Sequence, residues 1–596
     1  MPNLSAIILT FSRPDLVPDT VARLRLQSCA EIVIADDGLD AEQCVRLNAL
    51  GTKRYHRERT CPDGRGTCRN EGAKLTTGDK LLFLDDDCVP APDLIMRHEQ
   101  ALAHYDVSIG LTVKDWQDKR SDSRLDGYEK EIAPLSWMTH TGNIAMRRSA
   151  FWQVGGFDAR TFDGEYGWED TDLGIRLENA RRSMYLNYNA IALHLGIACQ
   201  DADPKRSEVN QAKFMAKRSR AKRVFLVYSG HLVSTLDVGR GWERALRLMG
   251  HDVKAYSYHD RIQFYNIAGI AWQEHTANLQ TPPVEITQAG RKVVNAWRKG
   301  AGKKMELPNL IRLASEGAVA EAIEYRPDVV IIISGLVIDR VLFTVFNALS
   351  LPVALILTES PYSDDDQTVL LPYCQAVLTN DKSSLGRLRR FNKNTLYLPH
   401  SYDPWLHYPQ AVAPEYTHDV FFFGTLYPER KAMLTGMRWT GINASIAGTY
   451  ILKSGEVKVV RKTRRGLKSW QPNSELAKHY AGSKIGLSWH RTTADYFKGT
   501  VIGQDAYSLG PRALEIPACG GFMLCDPTRP ELYDVYGDSV PTFDSPQVLL
   551  RQVRYWLAHE DERKGLASAQ RQAVTPCSFR ERGEAILWPA VEALCH

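Results

Sequence analysis

Apolar runs and stretches with helical spacing alternate along the first third of the chain. The runs LSAIILTF, EIVIADDG and KLLFLDDDCVP occupy residues 4–11, 31–38 and 80–90, and they predict strands. Residues 13–27 and 65–78, which lie between them, have the spacing of helices. This order predicts an α/β fold with a mostly parallel sheet covered by helices, and a site at the carboxyl ends of the strands.

A second α/β pattern follows, and it consists of two parts. Its predicted strands are, in chain order, 223–230, 251–258, 328–335, 352–360 and 376–381. After the segment YLPHSYDPWLHYP at 397–409 the pattern restarts at 418–431 and continues through 484–490 and 511–526. We therefore expect two doubly wound, Rossmann-like lobes joined by a crossover.

A basic segment separates the two patterns and indicates the domain organisation. Residues 201–223, DADPKRSEVNQAKFMAKRSRAKR, are polar and contain few strand-forming residues. The charges predict a solvated face, with contact to lipid or phosphate as the alternative. Because a chain of 596 residues is too long for one core, we predict a first domain at 1–203, a basic linker or helix at 204–222, and two lobes at 223–410 and 411–596.

Composition narrows the partners and the compartment. The net charge of +4 is too small to indicate a nucleic-acid surface, although it is compatible with small anionic substrates. Eleven scattered cysteines without a close CxxC pair predict free thiols in a reducing cytoplasm. No apolar run approaches the roughly 18–20 residues that span a bilayer. We therefore expect membrane contact to be peripheral at most.

Three adjacent carboxylates, Asp85, Asp86 and Asp87, end the third predicted strand of the first domain. Carboxylates this close repel one another unless a cation or solvent offsets the repulsion. Mg²⁺ or Mn²⁺ is the natural partner, because both prefer oxygen ligands and can bridge a diphosphate. The alternative is a solvent-facing acidic turn.

Residues 4–196 resemble a family 2 glycosyltransferase of GT-A fold. The resemblance rests on five strings in the order of that family: IILTFSRPDLV, IVIADDG, CRNEGAKLTTGDKLLFLDDD, TGNIAMRRSAFWQVGGFD and WEDTDLGIRL. It implies a nucleotide-sugar donor, an inverting reaction and a bound Mn²⁺ or Mg²⁺. Among the donor-binding residues that it implies, Asp37 contacts a uridine base, Thr10 and Arg13 line the nucleotide, and Asp85 lies near the ribose or the metal.

The same resemblance implies the metal ligands and the catalytic base. Asp87 matches the metal ligand, with Asp85 close to the ion. His194 follows a predicted strand where several GT-A enzymes complete the metal shell, and the alternative is a hydrogen-bonded core histidine. Asp170 matches the general base that deprotonates the acceptor hydroxyl, and Glu169 lies beside it.

The second pattern contains a different set of chemical groups. Gly424 follows an apolar strand, and Arg430 and Lys431 follow at the start of a predicted helix. Arg512 and Glu515 lie in the first turn of another predicted helix. A glycine that allows close approach, a helix N-terminus and cations suit a diphosphate without any metal cofactor, while the carboxylate of Glu515 suits the ribose hydroxyls.

These strings resemble GT-B glycosyltransferases, especially the spore-maturation-protein type with the signature PRALEIPACGGFML. The resemblance implies an acceptor lobe at 223–410 and a donor lobe at 411–596. The glutamate pair of many retaining GT-B enzymes is absent at its usual spacing, so the stereochemistry stays open. His231 and Glu359 follow predicted strands and are candidates for the acceptor base, with polar loop residues as the alternative.

Together, the two patterns predict a cytoplasmic bifunctional glycosyltransferase. We expect two successive transfers from nucleotide sugars to a glycan or glycolipid acceptor of a bacterial surface polysaccharide, with no nucleic-acid partner. One alternative is a phage-type transferase that acts on modified DNA bases. The other is a single active first domain with a noncatalytic, glycan-binding GT-B part.

Overall fold

The computed structural model describes most of the chain, and it divides into two compact units. The residues described are 3–595 except 12, 28, 59–62, 131–133, 197–203, 231–234, 266–287, 289–306, 426, 428–429, 431–436, 452–456, 463–471 and 493–504. One unit comprises residues 1–221 with 246–253, and the other comprises 222–245 with 254–596. Among the helices of these described ranges, none has the length and hydropathy that a membrane span requires.

The first unit contains an eight-stranded sheet within the described residues. Its strands are β1 (Leu4–Thr10), β2 (Glu31–Asp36), β3 (Lys53–His56), β4 (Lys80–Asp85), β5 (Cys88–Pro90), β6 (Val107–Val113), β7 (Ile144–Arg147) and β8 (Met184–His194). They lie in the order β3-β2-β1-β4-β7-β6-β8-β5. The pairs on either side of β1 are parallel, whereas β7 is antiparallel to both of its neighbours. The predicted α/β fold with a mostly parallel sheet is confirmed.

Helices cover both faces of this sheet, because successive strand residues point to opposite sides. Leu4, Ala6 and Ile8 belong to one buried cluster, while Ile7 and Leu9 belong to another. The helices are α1 (Val17–Leu26), α2 (Ala41–Asn48), α3 (Arg65–Leu75), α4 (Leu94–Leu102), α5 (Arg124–Glu129), α6 (Arg148–Gln153), α7 (Ala159–Phe162), α8 (Glu169–Asn179) and α9 (Pro204–Ser219).

The basic segment forms α9, which packs on the first unit. Phe214 is buried with Phe162 in a small apolar cluster. Lys217 Nζ lies 2.8 Å from Asp158 Oδ2 and 2.7 Å from Asp172 Oδ1, and both of these carboxylates are buried. The segment that we predicted as a linker or helix is therefore a helix anchored by apolar contact and by a buried ion pair.

The second unit contains two further sheets. The first consists of β9 (Arg223–Tyr228), β10 (Asp252–Ser257), β11 (Val329–Ile333), β12 (Val353–Ile356), β13 (Ala376–Thr379) and β14 (Thr395–Tyr397), in the order β10-β9-β11-β12-β13-β14. The second consists of β15 (His418–Phe423), β16 (Ala444–Ile451), β17 (Val457–Lys462), β18 (Ser483–Ser488) and β19 (Met523–Cys525), in the order β17-β16-β15-β18-β19. The two predicted Rossmann-like lobes are confirmed.

The helices of this unit surround the two sheets. They are α10 (Leu236–Leu248), α11 (Leu307–Tyr325), α12 (Arg340–Ala348), α13 (Asp364–Gln367), α14 (Leu385–Leu388), α15 (Asn473–Ala481), α16 (Arg512–Ala518), α17 (Glu531–Tyr536), α18 (Pro546–Ala558), α19 (Glu560–Val574), α20 (Phe579–Arg582) and α21 (Trp588–Glu592). The C-terminal tail returns to the first lobe. Phe579 N donates to Tyr402 O at 3.0 Å, and the rings of Trp242 and Phe579 lie 5.0 Å apart.

Candidate active sites

The carboxyl ends of β1, β2 and β4 meet at one edge of the first sheet. Thr10 is in register with Asp36, and Leu9 is in register with Asp85. Because these strands are parallel, the residues that follow them are brought together across more than seventy residues of sequence. The Asp triplet and Thr10 therefore share a site, as the sequence predicted.

Arg13 lies between two carboxylates of the triplet. Its guanidinium nitrogens are 2.8 Å from Asp86 Oδ1 and 2.7 Å from Asp87 Oδ2. Thr10 Oγ1 donates to Asp86 Oδ2 at 2.9 Å. Burial raises the pKa of Asp86 to about 7, although Arg13 and Thr10 act in the opposite direction. Within the protein itself, Arg13 thus offsets part of the charge repulsion that the sequence attributed to a metal.

A buried arginine, Arg69, connects the acid triplet to the predicted base. It lies on α3 with only 2% of its side chain exposed. Its Nη2 is 2.9 Å from Asp85 Oδ1, and its Nη1 is 3.0 Å from Glu169 Oε1. Burial alone would raise the pKa of Asp85, but the nearby Arg69 outweighs it and the pKa is lowered. Two predicted site residues, Asp85 and Glu169, are therefore held by a single side chain.

Sequence reasoning did not single out Arg69. It lies inside the string CRNEGAKLTTGDKLLFLDDD, where α3 also buries Gly66, Asn70 and Gly72. The sequence signal that could have identified Arg69 is its position on the same helix face as the small residues that pack against the sheet. A charge on such a face requires a buried partner.

Asp170 lies in the first turn of α8, next to Glu169. It is half-buried, and its Oδ1 accepts a hydrogen bond from Thr171 N at 2.8 Å. Loss of contact with water, followed by the negative charge of Glu169, raises the pKa of Asp170 to about 7. A carboxyl with this pKa is suited to accept a proton at neutral pH.

The predicted metal ligands are only partly brought together. Asp87 Oδ2 lies 3.5 Å from His194 Nε2, because β5 pairs Cys88 with His194. Within the described residues, the ligand atoms of Asp85, Asp87 and His194 do not lie within 4.8 Å of one another. One carboxylate and one half-exposed imidazole fit a hard divalent ion that takes its other ligands from a diphosphate and water.

Each carboxylate oxygen of Asp37 accepts a hydrogen bond from a protein group. Arg57 Nε donates to its Oδ1, and Gly64 N donates to its Oδ2 at 2.7 Å. A side chain at position 64 would collide with Arg57, since a Cβ there would lie 2.1 Å from Nε. The predicted base-contacting carboxylate therefore also holds the start of α3.

In the second unit, Gly424 and Arg512 are brought together as predicted. A Cβ at position 424 would lie 2.3 Å from Arg512 Nη2, so the absent side chain makes room for the guanidinium. Arg512 also covers the ring of Phe422 at 5.1 Å. Arg430 is buried, and its guanidinium donates to the carbonyl oxygens of Thr425 and Trp489. It therefore joins the glycine loop to the end of β18.

Glu515 lies on α16, within reach of two polar groups. Asn473 Nδ2 donates to its Oε1 at 3.3 Å, and His407 Nε2 lies 3.8 Å from the same oxygen. Burial lowers the pKa of His407. The carboxylate side chain is 13% exposed, so one side of it stays accessible.

The candidates for the acceptor base of the second unit differ in what the structure describes. Glu359 Oε2 lies 2.6 Å from Arg491 Nη2, and the guanidinium of Arg491 stacks on Tyr362 at 3.9 Å. Arg491 was not singled out in the sequence. Its ion pair engages the Glu359 carboxylate, which Glu359 would need to act as a base. His231 and the predicted phosphate ligand Lys431 lie outside the described residues.

Comparisons with known proteins match both ends of the chain. The family described as "Glycosyl transferase family 2" matches residues 5–155, and the family described as "Glycosyl transferase-like" matches residues 426–587. The spore protein CgeB of Bacillus subtilis (strain 168) is 20% identical over 254 residues, which cover 42% of this chain and 79% of that protein.

Solved structures with low similarity include three synthases or transferases. The mannosyltransferase PcManGT from Pyrobaculum calidifontis, in complex with GDP-Man and Mn²⁺, is 15% identical, with a TM-score of 0.30, covering 46% of this chain and 79% of its own. Sucrose-phosphate synthase from Thermosynechococcus elongatus is 12% identical, with a TM-score of 0.37 and coverage of 62% and 99%. Glucosyl-3-phosphoglycerate synthase from Mycobacterium tuberculosis, in complex with Mg²⁺ and UDP, is 15% identical, with a TM-score of 0.27 and coverage of 36% and 78%.

Each family match overlaps one of the two sites. The first covers the sheet edge that carries the Asp triplet and ends before Glu169, Asp170 and His194, and the second begins just after Gly424 and covers Arg430, Arg512 and Glu515. The chain is therefore a glycosyltransferase, with an N-terminal region that matches family 2 and a C-terminal region that matches the family described as glycosyl transferase-like.

Proposed function

We propose that the first domain transfers a sugar, with inversion, from a UDP-sugar to a hydroxyl group of an acceptor. The observation that carries this proposal is Asp170, a half-buried carboxyl with a pKa of about 7 beside the sheet edge. Through Glu169 and Arg69, its helix is tied to Asp85 at the end of β4. Base and donor site are therefore held in fixed relation.

In this reaction the acceptor oxygen attacks the anomeric carbon while the bond from that carbon to the diphosphate oxygen breaks. Asp170 takes the proton of the attacking hydroxyl, and the nucleoside diphosphate leaves with the bonding electron pair. Asp87 and His194 would hold Mn²⁺ or Mg²⁺, with Asp85 near the ion or the ribose. When bound, the ion neutralises charge that develops on the leaving diphosphate. Thr10, Arg13 and Asp37 bind the nucleotide in this proposal.

For the second domain we propose a donor site that functions without a metal. Arg512 above Gly424 supplies a cation at the end of β15, and the N-terminus of α16 lies in the same place. Arg430 holds the loop after Gly424 by donating to Thr425 O. Lys431 stays a predicted ligand of the diphosphate. Glu515 binds the ribose hydroxyls. His231 and Glu359 stay candidates for the acceptor base, and the ion pair with Arg491 counts against Glu359.

The acceptor that we propose is a glycan or glycolipid of a bacterial surface polysaccharide, extended by the two domains in turn at the inner face of the membrane. The domain division at 1–203, 223–410 and 411–596, with 204–222 between them, belongs to this proposal. The packing of Arg512 on Gly424 favours an active second domain over a noncatalytic glycan-binding one.

A hydrolysis screen on the full chain tests this proposal. UDP-, GDP- and ADP-sugars are incubated with wild type, Asp170→Asn and Glu515→Ala, and release of the nucleoside diphosphate is measured. We expect Asp170→Asn to lose one donor class and Glu515→Ala to lose another. If Glu515→Ala changes no activity, Glu515 is not the ribose contact of the second domain. If both variants lose the same activity, the chain has one site.

A further inference from the structure

A histidine and an aspartate meet at the edge of the second-domain sheet. His490 follows β18 and Asp526 follows β19, and these strands are parallel neighbours, so their carboxyl ends lie at the same edge. Asp526 Oδ2 accepts hydrogen bonds from His490 N at 2.7 Å and from His490 Nδ1 at 2.8 Å. Both side chains are buried. Neither residue has a part in the proposed reaction so far.

Electrostatics fix which ring nitrogen carries the proton. Burial alone would raise the pKa of Asp526, but His490 and the hydrogen bonds lower it below its ordinary range. Burial lowers the pKa of His490. A neutral imidazole beside a carboxylate keeps its hydrogen on Nδ1 and donates it to Asp526. The other nitrogen, Nε2, is then a hydrogen-bond acceptor.

In the part of the chain that the structure describes, this acceptor has no hydrogen-bond partner. Within the described residues, no donor lies within hydrogen-bonding distance of His490 Nε2, although the side chain is only 6% exposed. Its neighbouring ring atom Cδ2 lies near Gly510, where an added Cβ would be in ordinary van der Waals contact with the ring at 3.7 Å. A buried acceptor left unpaired is unfavourable, so the arrangement indicates a ligand group at this position.

A metal ion is a poorer explanation for the same residues. The ligand atoms of His490, Cys525 and Asp526 lie within 4.8 Å of one another. Asp526, however, already accepts hydrogen bonds from His490 and Thr528. Burial also raises the pKa of the Cys525 thiol well above its ordinary value, which opposes the thiolate that a metal requires.

The surroundings of His490 indicate what the ligand group is. Arg430 donates to Trp489 O, which places its guanidinium beside His490 and next to the proposed diphosphate site. A diphosphate has no hydrogen to offer to Nε2 at neutral pH, and the ribose is assigned to Glu515. The remaining part of a nucleotide sugar is the sugar itself, whose hydroxyl groups are donors.

We infer that His490 Nε2 accepts a hydrogen bond from a hydroxyl of the donor sugar in the second domain, and that Asp526 is the positioning residue that holds the ring in the required tautomer. This inference rests on the proposed function of the second domain. It makes His490 a residue that distinguishes a nucleotide sugar from the bare nucleotide.

Calorimetry on the full chain tests it, in the Asp87→Ala background with EDTA so that the first site is silent. The probes are UDP, GDP, UDP-glucose, UDP-N-acetylglucosamine and GDP-mannose. His490→Asn keeps a group for Asp526 and removes Nε2, whereas His490→Gln keeps a polar acceptor near the position of Nε2. We expect His490→Asn to weaken the sugar conjugate about tenfold and leave its nucleotide unchanged, with partial recovery in His490→Gln.

Two further variants separate positioning from folding. Asp526→Ala removes the acceptor that holds the ring hydrogen on Nδ1, so the ring is no longer fixed in one tautomer, and the variant should reproduce part of the loss for the sugar conjugate alone. His479→Asn is the matched control, since His479 is another buried histidine of this lobe but pairs with His418. It should leave all five affinities unchanged.

The outcomes are distinct. If a sugar conjugate binds wild type and His490→Asn equally, this inference is wrong while the proposed function stands. If no probe binds the Asp87→Ala chain, the proposed donor site of the second domain fails and the inference fails with it. Nitrogen-15 NMR of the ligand-free chain at pH 7 adds a test that needs no ligand: a hydrogen on Nε2 of His490 would overturn the assigned tautomer and the inference.

Discussion

The two domains arrange charge in opposite ways around the sites at which we propose that a nucleotide sugar binds. In the first, carboxylates line the edge of the sheet, and Arg13 and Arg69 each form ion pairs with two of them. In the second, the edge carries the guanidinium of Arg512 over a glycine, and Arg430 is held by backbone carbonyl oxygens. A diphosphate needs positive charge in both cases. An acidic edge needs a bound cation to provide this positive charge, whereas the second edge provides it with its own arginine side chain.

The largest expected effect is on the base of the acidic site. Asp170→Asn should slow transfer by the first domain about a thousandfold, because an asparagine side chain cannot accept the proton of the acceptor hydroxyl. Binding of UDP with Mn²⁺, measured by calorimetry, should stay unchanged. Glu178→Gln, an exposed position on the same helix, is the control. Equal transfer rates in wild type and Asp170→Asn would remove Asp170 from the mechanism.

Metal removal should separate the two domains most directly. EDTA or Asp87→Ala should reduce transfer by the first domain about a hundredfold or more, because several kcal/mol of charge stabilisation are lost. The second domain should keep its rate under the same conditions, since its site supplies its own cations. UDP affinity that is identical with and without Mn²⁺, in both wild type and Asp87→Ala, would contradict the metal site.

The ribose contact of the second domain is expected to have an intermediate effect. Glu515→Ala should weaken nucleoside and nucleotide binding alike, by about tenfold to a hundredfold, since hydrogen bonds to a charged group contribute about 1.5–3 kcal/mol. Calorimetry with uridine, UMP and UDP, or the series of whichever base binds, measures this. If all three affinities are unchanged, the ribose lies elsewhere.

The raised pKa of Asp170 predicts a pH dependence for the first domain alone. With a pKa of about 7, the carboxylate fraction and the transfer rate should fall about tenfold between pH 8 and pH 6. Stability should respond in the opposite sense, because a raised carboxyl pKa favours folding below the unfolded pKa and loses this contribution as pH rises through the folded pKa. Asp170→Asn should therefore be more stable than wild type at pH 8, by thermal unfolding. A pH profile without this fall contradicts the role.

The smallest expected effect concerns the glycine of the cationic site. Gly424→Ala should displace the flexible end of Arg512 and weaken diphosphate binding about fivefold, since one charge-assisted contact is lost, with little change in thermal stability. Gly386→Ala, where a Cβ meets nothing within 4 Å, is the control. The double variant with Arg512→Ala should be no worse than Arg512→Ala alone. Additive effects would mean that Gly424 acts independently of Arg512.

The alternation of apolar runs predicted the central parallel strands of all three sheets, but not strands such as β3, β6 and β7. Strands such as β1 and β4 consist of residues that are buried on both faces, and such strands have continuous apolar sequences that differ clearly from the helices between them. The site residues at strand ends were predicted for the same reason. Parallel strands bring their carboxyl ends to one edge, whatever the length of chain between them.

Contacts across the fold were decided only by the tertiary structure. Arg69 binding both Asp85 and Glu169, Arg491 covering Glu359, and Asp526 holding His490 each join residues that no local pattern connects. Hydrophobic periodicity records which side of an element is buried, so the sequence determined the sheets and their edges. Which charged group meets which depends on distances between elements, and these arise only when the chain packs.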